Sequence, residues 1–75
     1  MNKLNKERQY FNKKILNDLR QYLEINEWTR FGQALVNLGI IQIIDGKVID
    51  PFYEESIDMY KRLPKEIFII PTTHE

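Results

Sequence analysis

The sequence predicts a small α+β domain with the element order α-α-β-β-α-β. Three observations carry that prediction: helical apolar spacing through the first half, an Asp-Gly pair between two β-branched runs, and an Asp-Pro start signal after them. At 75 residues the chain is expected to form a single domain over positions 1–75, with 71–75 as a polar tail. Hydrophobic residues make up 43% and aromatics 12%, too apolar and too aromatic for a disordered chain.

The first helix is expected from about Asn5 to Leu23. Phe11, Ile15, Leu19 and Tyr22 recur at steps of 4, 4 and 3, and Leu16 and Leu23 are expected to widen that face. Lys6, Lys13, Asn17, Arg20 and Glu24 fall on the opposite, polar side. Asn26 reads as the N-cap of a second helix that runs to Leu38 and stops at Gly39. Trp28, Phe31, Leu35 and Leu38 make its expected buried stripe. A link of two to four residues predicts that the two helices pack as an antiparallel hairpin.

The period then changes from helical to alternating. Ile41–Ile44 and Lys47–Asp50 flank Asp45-Gly46, a pair suited to a two-residue turn with positive φ at both central positions. In that register Ile43 faces Val48, and Ile41 shares their face. A third helix starts either at Asp50-Pro51, an N-cap followed by proline, or at Ser56. Acids early, Lys61 and Arg62 late, and Pro64 as a stop agree with the helix dipole in both cases. Glu66–Ile70 is expected to form a third strand beside the hairpin.

Composition narrows the chemistry. There is no cysteine, and the one histidine is His74 near the end, so neither a disulfide nor a zinc site is expected to reinforce a core that supplies about 3–5 kcal/mol. Self-association as a homodimer is one way to gain margin. No glycine-rich loop, Ser/His/Asp set or cysteine nucleophile is present, so the chain is expected to be non-catalytic, with no cofactor and no metal. The basic amino terminus is not followed by an apolar run, and the longest apolar cluster, Ile40–Ile44, is far short of the roughly 20 residues of a membrane span. The expectation is a cytoplasmic protein that does not engage a membrane.

Net charge is zero but unevenly spread: residues 1–20 hold six basic side chains and two acids, residues 21–75 five and nine. Three surfaces follow. Phe52, Tyr53, Glu54, Glu55 and Asp58 combine aromatics with acids, a composition suited to protein recognition; the plainer alternative is a capped helix with Phe52 in the core. Arg30, Gln33 and Asn37, at i, i+3 and i+7, are residue types that read base edges in the DNA major groove; the plainer alternative is a polar helix flank with Gly32 admitting a close neighbour. Lys6, Lys13 and Arg20 on the first helix would then contact phosphates, or else form a solvated face.

Arg30-Phe31-Gly32-Gln33, Asn37 a turn later, and Asp50-Pro51-Phe52-Tyr53 together resemble a loose group of short phage and mobile-element proteins. The resemblance covers residues 26–63. It implies an accessory or host-interaction role without a mechanism, and it implies that Asp50–Tyr53 precede the third helix. The leading expectation is a protein-binding module, an accessory protein or inhibitor of a host protein. A small DNA-binding protein and a structural homodimer are the alternatives.

Overall fold

The structure, a computed structural model, describes residues 3–64. Its elements are α1 (Lys3–Ile25), α2 (Phe31–Asn37), β1 (Gln42–Ile44), β2 (Lys47–Ile49) and α3 (Ser56–Arg62), an α+β arrangement. The strand expected over Glu66–Ile70 lies outside the described residues.

α1 spans about 34 Å at 1.5 Å per residue. Its apolar spacing turns Ile15, Leu19 and Tyr22 into the core, with Phe11 and Leu23 half-buried at the margins. Leu16, expected to widen this face, is instead exposed. It sits about 100° round the helix from Ile15, and the partner helices cover a narrower arc than the sequence suggested. Asn26 is not an N-cap. It ends α1: its backbone N–H and its side-chain Nδ2 both donate to the Tyr22 carbonyl, at 2.8 and 2.9 Å, and the side chain is buried there. That double bond closes α1 and leaves Asn26–Arg30 as an irregular link, longer than the two to four residues expected.

The late start of α2 moves its buried stripe. Trp28 belongs to the link and is 94% exposed, and Phe31 at the first helical position is exposed as well. The expected Trp28–Phe31–Leu35–Leu38 stripe therefore holds only in its second half. Ala34 in α2 and Leu38 at its C-cap, one helical turn apart, are buried, and Leu35 packs beside them. At Gly32 a Cβ would meet nothing within 4 Å, so this glycine admits no close neighbour.

The end of α2 follows the expected chemistry. Gly39 has φ +82°, its N–H donates to the Val36 carbonyl, and the Ile40 N–H reaches the Leu35 carbonyl. These are the paired bonds of a Schellman ending, which a residue without Cβ accommodates at no steric cost. β1 and β2 pair antiparallel with Ile43 opposite Val48, as the Asp-Gly turn predicts. Asp45 (φ +53°) and Gly46 (φ +77°) both take positive φ. Ile43 and Val48 on one face and Ile44 and Ile49 on the other are all exposed.

α3 begins at Ser56, the second of the two starts. Asp50 caps a turn rather than a helix: its Oδ1 accepts from the Phe52 N–H at 2.9 Å, and the Glu54 N–H closes the turn on the Pro51 carbonyl. α3 lies against α1, with Tyr60 on Phe11 (centroids 5.4 Å apart), and Leu63 just beyond α3 enters the core.

Leu38 is almost fully enclosed, so Leu38→Ala is expected to cost about 3 kcal/mol. Leu16→Ala, on the exposed arc of α1, is expected to change stability by less than about 0.5 kcal/mol. Urea unfolding of both variants checks the assignment of inner and outer faces.

Candidate functional site

The segment between β2 and α3 is short, irregular and held at several points. Arg62, in the last turn of α3, sends Nε and Nη2 to the Gly39 carbonyl at 2.9 and 2.8 Å. Its Nη2 also donates to Glu54 Oε1 at 2.9 Å, and its Nη1 to Glu54 Oε2. One guanidinium thus ties the end of α2, the segment before α3, and α3 itself. Its planar fork is suited to this task, because the donors leave in fixed directions toward a carbonyl and a carboxylate. The pair is only about a quarter exposed on either side.

A second clamp holds the start of α3 to the first half of α1. Arg8 Nε and Nη2 donate to Glu55 Oε1 and Oε2 at 2.8 and 2.6 Å. Ser56 Oγ donates to Asn12 Oδ1 one turn further along α1. The Arg8 hydrogen bonds and charge hold the Glu55 carboxyl below the usual carboxylate range.

Between these clamps stand Phe52 and Tyr53, 77% and 91% exposed, with ring centroids 4.8 Å apart at 80°. The structure brings together Phe52, Tyr53, Glu54 and Glu55 on one segment, yet gives the four residues two kinds of task. The aromatics face solvent, while both glutamates face arginines of the same chain. Asp58, in the first turn of α3, is exposed. Phe52 does not enter the core.

The Arg30, Gln33 and Asn37 set is differently employed. Gln33 Oε1 accepts from the Arg30 N–H at 3.2 Å, covering an amide at the start of α2. Asn37 Nδ2 donates to Tyr22 Oη at 3.1 Å, fastening α2 to α1. Arg30 is exposed. On α1, Arg20 pairs with Glu24 and donates to Asn17 Oδ1, so its charge is answered locally. Lys6 and Lys13 are exposed, and Lys14 lies 5.8 Å from the Tyr10 ring and 5.9 Å from that of Tyr60.

The exposed aromatics that sequence reasoning missed are Trp28 and Phe31. Helical spacing assigned both to the core, and the missing signal was the helix end at Asn26. Trp28 lies three residues past the end of α1, whereas Arg8, which holds Glu55, lies in its first half.

Among the described residues, no group of three or more His, Asp or Glu side chains could hold a metal ion. No helix among them is long and apolar enough to cross a membrane. No family model matches the chain, and no curated protein or solved structure matches it.

Two outcomes test the clamps. Arg62→Lys keeps the charge but loses the fork, and is expected to cost about 2 kcal/mol in urea unfolding through the unmet Gly39 carbonyl and Glu54. The depressed pKa of Glu55 means that its ion pair stabilises the fold above the unfolded value of 4.5 and is lost as pH falls through the lower folded value. Asp18 acts in the opposite sense: burial raises its pKa, so its ionised form is disfavoured in the fold and acidification relieves that penalty. Arg8→Gln is therefore expected to flatten the loss of stability measured from about pH 6 down to about pH 3.

Proposed function

We propose that the chain is a non-catalytic protein-binding module whose recognition surface centres on Phe52 and Tyr53. One observation carries this reading: two large aromatic side chains stand in solvent on a segment braced from three directions. Exposed aromatics on a soluble domain are costly, since they forgo burial and invite association. A rigid backbone beneath them lowers the ordering cost of binding, which favours affinity. Aromatic anchors are also the residue types that dominate protein interfaces.

Glu54 and Glu55 have a supporting role in this reading. Their carboxylates hold the segment through Arg62 and Arg8, and Asp58 remains as an exposed acid beside it. The resemblance of residues 26–63 to short phage and mobile-element proteins extends the proposal to an accessory protein or inhibitor acting on a host protein. The DNA-reading alternative has less support, because Gln33 and Asn37 already serve bonds within the fold. Charged phosphate contacts would then rest on Lys6 and Lys13 without a base-reading helix beside them.

The test is affinity capture from a lysate of the cells that carry the sequence, comparing the wild-type chain with Phe52→Ala/Tyr53→Ala. A specific partner should be retained by the wild type and weakened about 30-fold or more by the double variant, equivalent to roughly 2 kcal/mol of hot-spot energy. Circular dichroism should be unchanged, since both rings lie outside the core. Partners captured equally by both proteins would overturn the assignment. Retention that falls only in Trp28→Ala would move the surface to the link between α1 and α2.

A further inference from the structure

At the foot of the Phe52–Tyr53 segment lies a cleft of about 150 Å³, between the base of the β-hairpin and the last turn of α3. Ile40, Ile49 and Pro51 supply apolar walls, and Gln42 and Asp50 stand among them. The Glu54–Arg62 pair completes the lining. This volume is well below the roughly 300–1,000 Å³ of pockets that enclose small-molecule ligands. It suits one extended side chain.

Charge selects which side chain. Arg62 directs Nε, Nη1 and Nη2 to Gly39 and to both oxygens of Glu54, so an anion would have to displace Glu54 to reach it. Asp50 uses Oδ1 to accept from the Phe52 N–H, and no Lys or Arg among the described residues forms an ion pair with it. The lining therefore carries one uncompensated negative charge. Pro51 in its wall is followed directly by the exposed Phe52, so a residue seated in the cleft would lie beside the aromatic segment. A lysine or arginine side chain has the matching form, an aliphatic stem with a charged head.

We propose that the cleft receives one lysine or arginine side chain of the partner protein, its stem on Ile40, Ile49 and Pro51 and its head at Asp50. Flanking apolar residues of the partner would cover Phe52 and Tyr53. The inference rests on the protein-binding reading above and adds the chemistry of the partner: a basic residue within an apolar surface.

The probe is Nα-acetyl-lysine amide, titrated into the full chain and followed by backbone amide NMR shifts, with Nα-acetyl-norleucine amide as its uncharged counterpart. The lysine probe should produce saturable millimolar shifts at Ile40, Ile49 and Phe52, with norleucine weaker by about threefold or more. Asp50→Asn preserves an oxygen for the Phe52 N–H but removes the charge, and should weaken the lysine probe to the norleucine level. Asp45→Asn, at the hairpin tip, makes the same change in net charge and should have no effect. Equal binding of both probes, equal weakening by both variants, or no saturable shift at the cleft would overturn the proposal. If the cleft fails while Phe52→Ala/Tyr53→Ala still abolishes partner capture, only the basic-residue inference falls. If the probe binds as expected but capture is indifferent to Phe52 and Tyr53, the protein-binding reading falls instead.

Discussion

The Arg62 guanidinium is the constraint on which the placement of α2, α3 and the segment between β2 and α3 depends. α2 ends in a Schellman turn, which satisfies carbonyls inside the helix but points the Gly39 carbonyl away from it. Nε and Nη2 of Arg62 meet that oxygen, and Nη1 and Nη2 hold the two carboxylate oxygens of Glu54. The arrangement sets where α3 stands relative to α2 and how the segment from Asp50 to Glu55 leaves the hairpin. A lysine has no second arm with which to make both connections. The polar clamp matters because the apolar core is small: Ile15, Leu19, Tyr22, Ala34, Leu38 and Leu63, with a fringe of half-buried neighbours.

A small core leaves apolar surface over. Single exposed apolar residues are normal on any protein, and only clusters call for an explanation. Exposed aromatics stand at two places, the Phe52–Tyr53 ring pair before α3 and Trp28 and Phe31 around the start of α2. The first is the stronger candidate for recognition because its backbone is braced by hydrogen bonds and ion pairs to two helices. The second is divided between the irregular link, which carries Trp28, and the first position of α2, which carries Phe31, and no ion pair among the described residues braces either residue. The difference is one of preorganisation, not of composition.

The same division between support and contact runs through the polar residues. Gln33, Asn37, Glu54 and Glu55 look like recognition side chains when read by type, and each makes a bond within the fold. Asn37 is the clearest case, since its amide reaches the Tyr22 hydroxyl and so joins α2 to α1. In a domain with so few buried side chains, surface polar groups carry structural duties that a larger core would make unnecessary. Charged and amide residues in short proteins are therefore poor guides to function until their partners within the chain are known.

Local chemistry was legible in the sequence by itself. The Asp45-Gly46 turn, the Ile43–Val48 register, the glycine ending of α2 and the Ile15–Leu19–Tyr22 face each follow from steric or periodic rules that act over a few residues. The rest was decided by particular bonds, local and tertiary, that only the folded structure reveals. Trp28 and Phe31 match a helical stripe, but Asn26 folds back on Tyr22 and ends the helix before the stripe begins. Asp50-Pro51 carries a start signal, but the Asp50 carboxylate meets the Phe52 amide, and the helix waits until Ser56, where Arg8 and Asn12 of α1 receive it. Short-range signals determine which conformations each segment can adopt. Contacts between residues 47 and 44 positions apart, such as Arg8 with Glu55 and Asn12 with Ser56, select among them and leave Phe52 and Tyr53 facing outward.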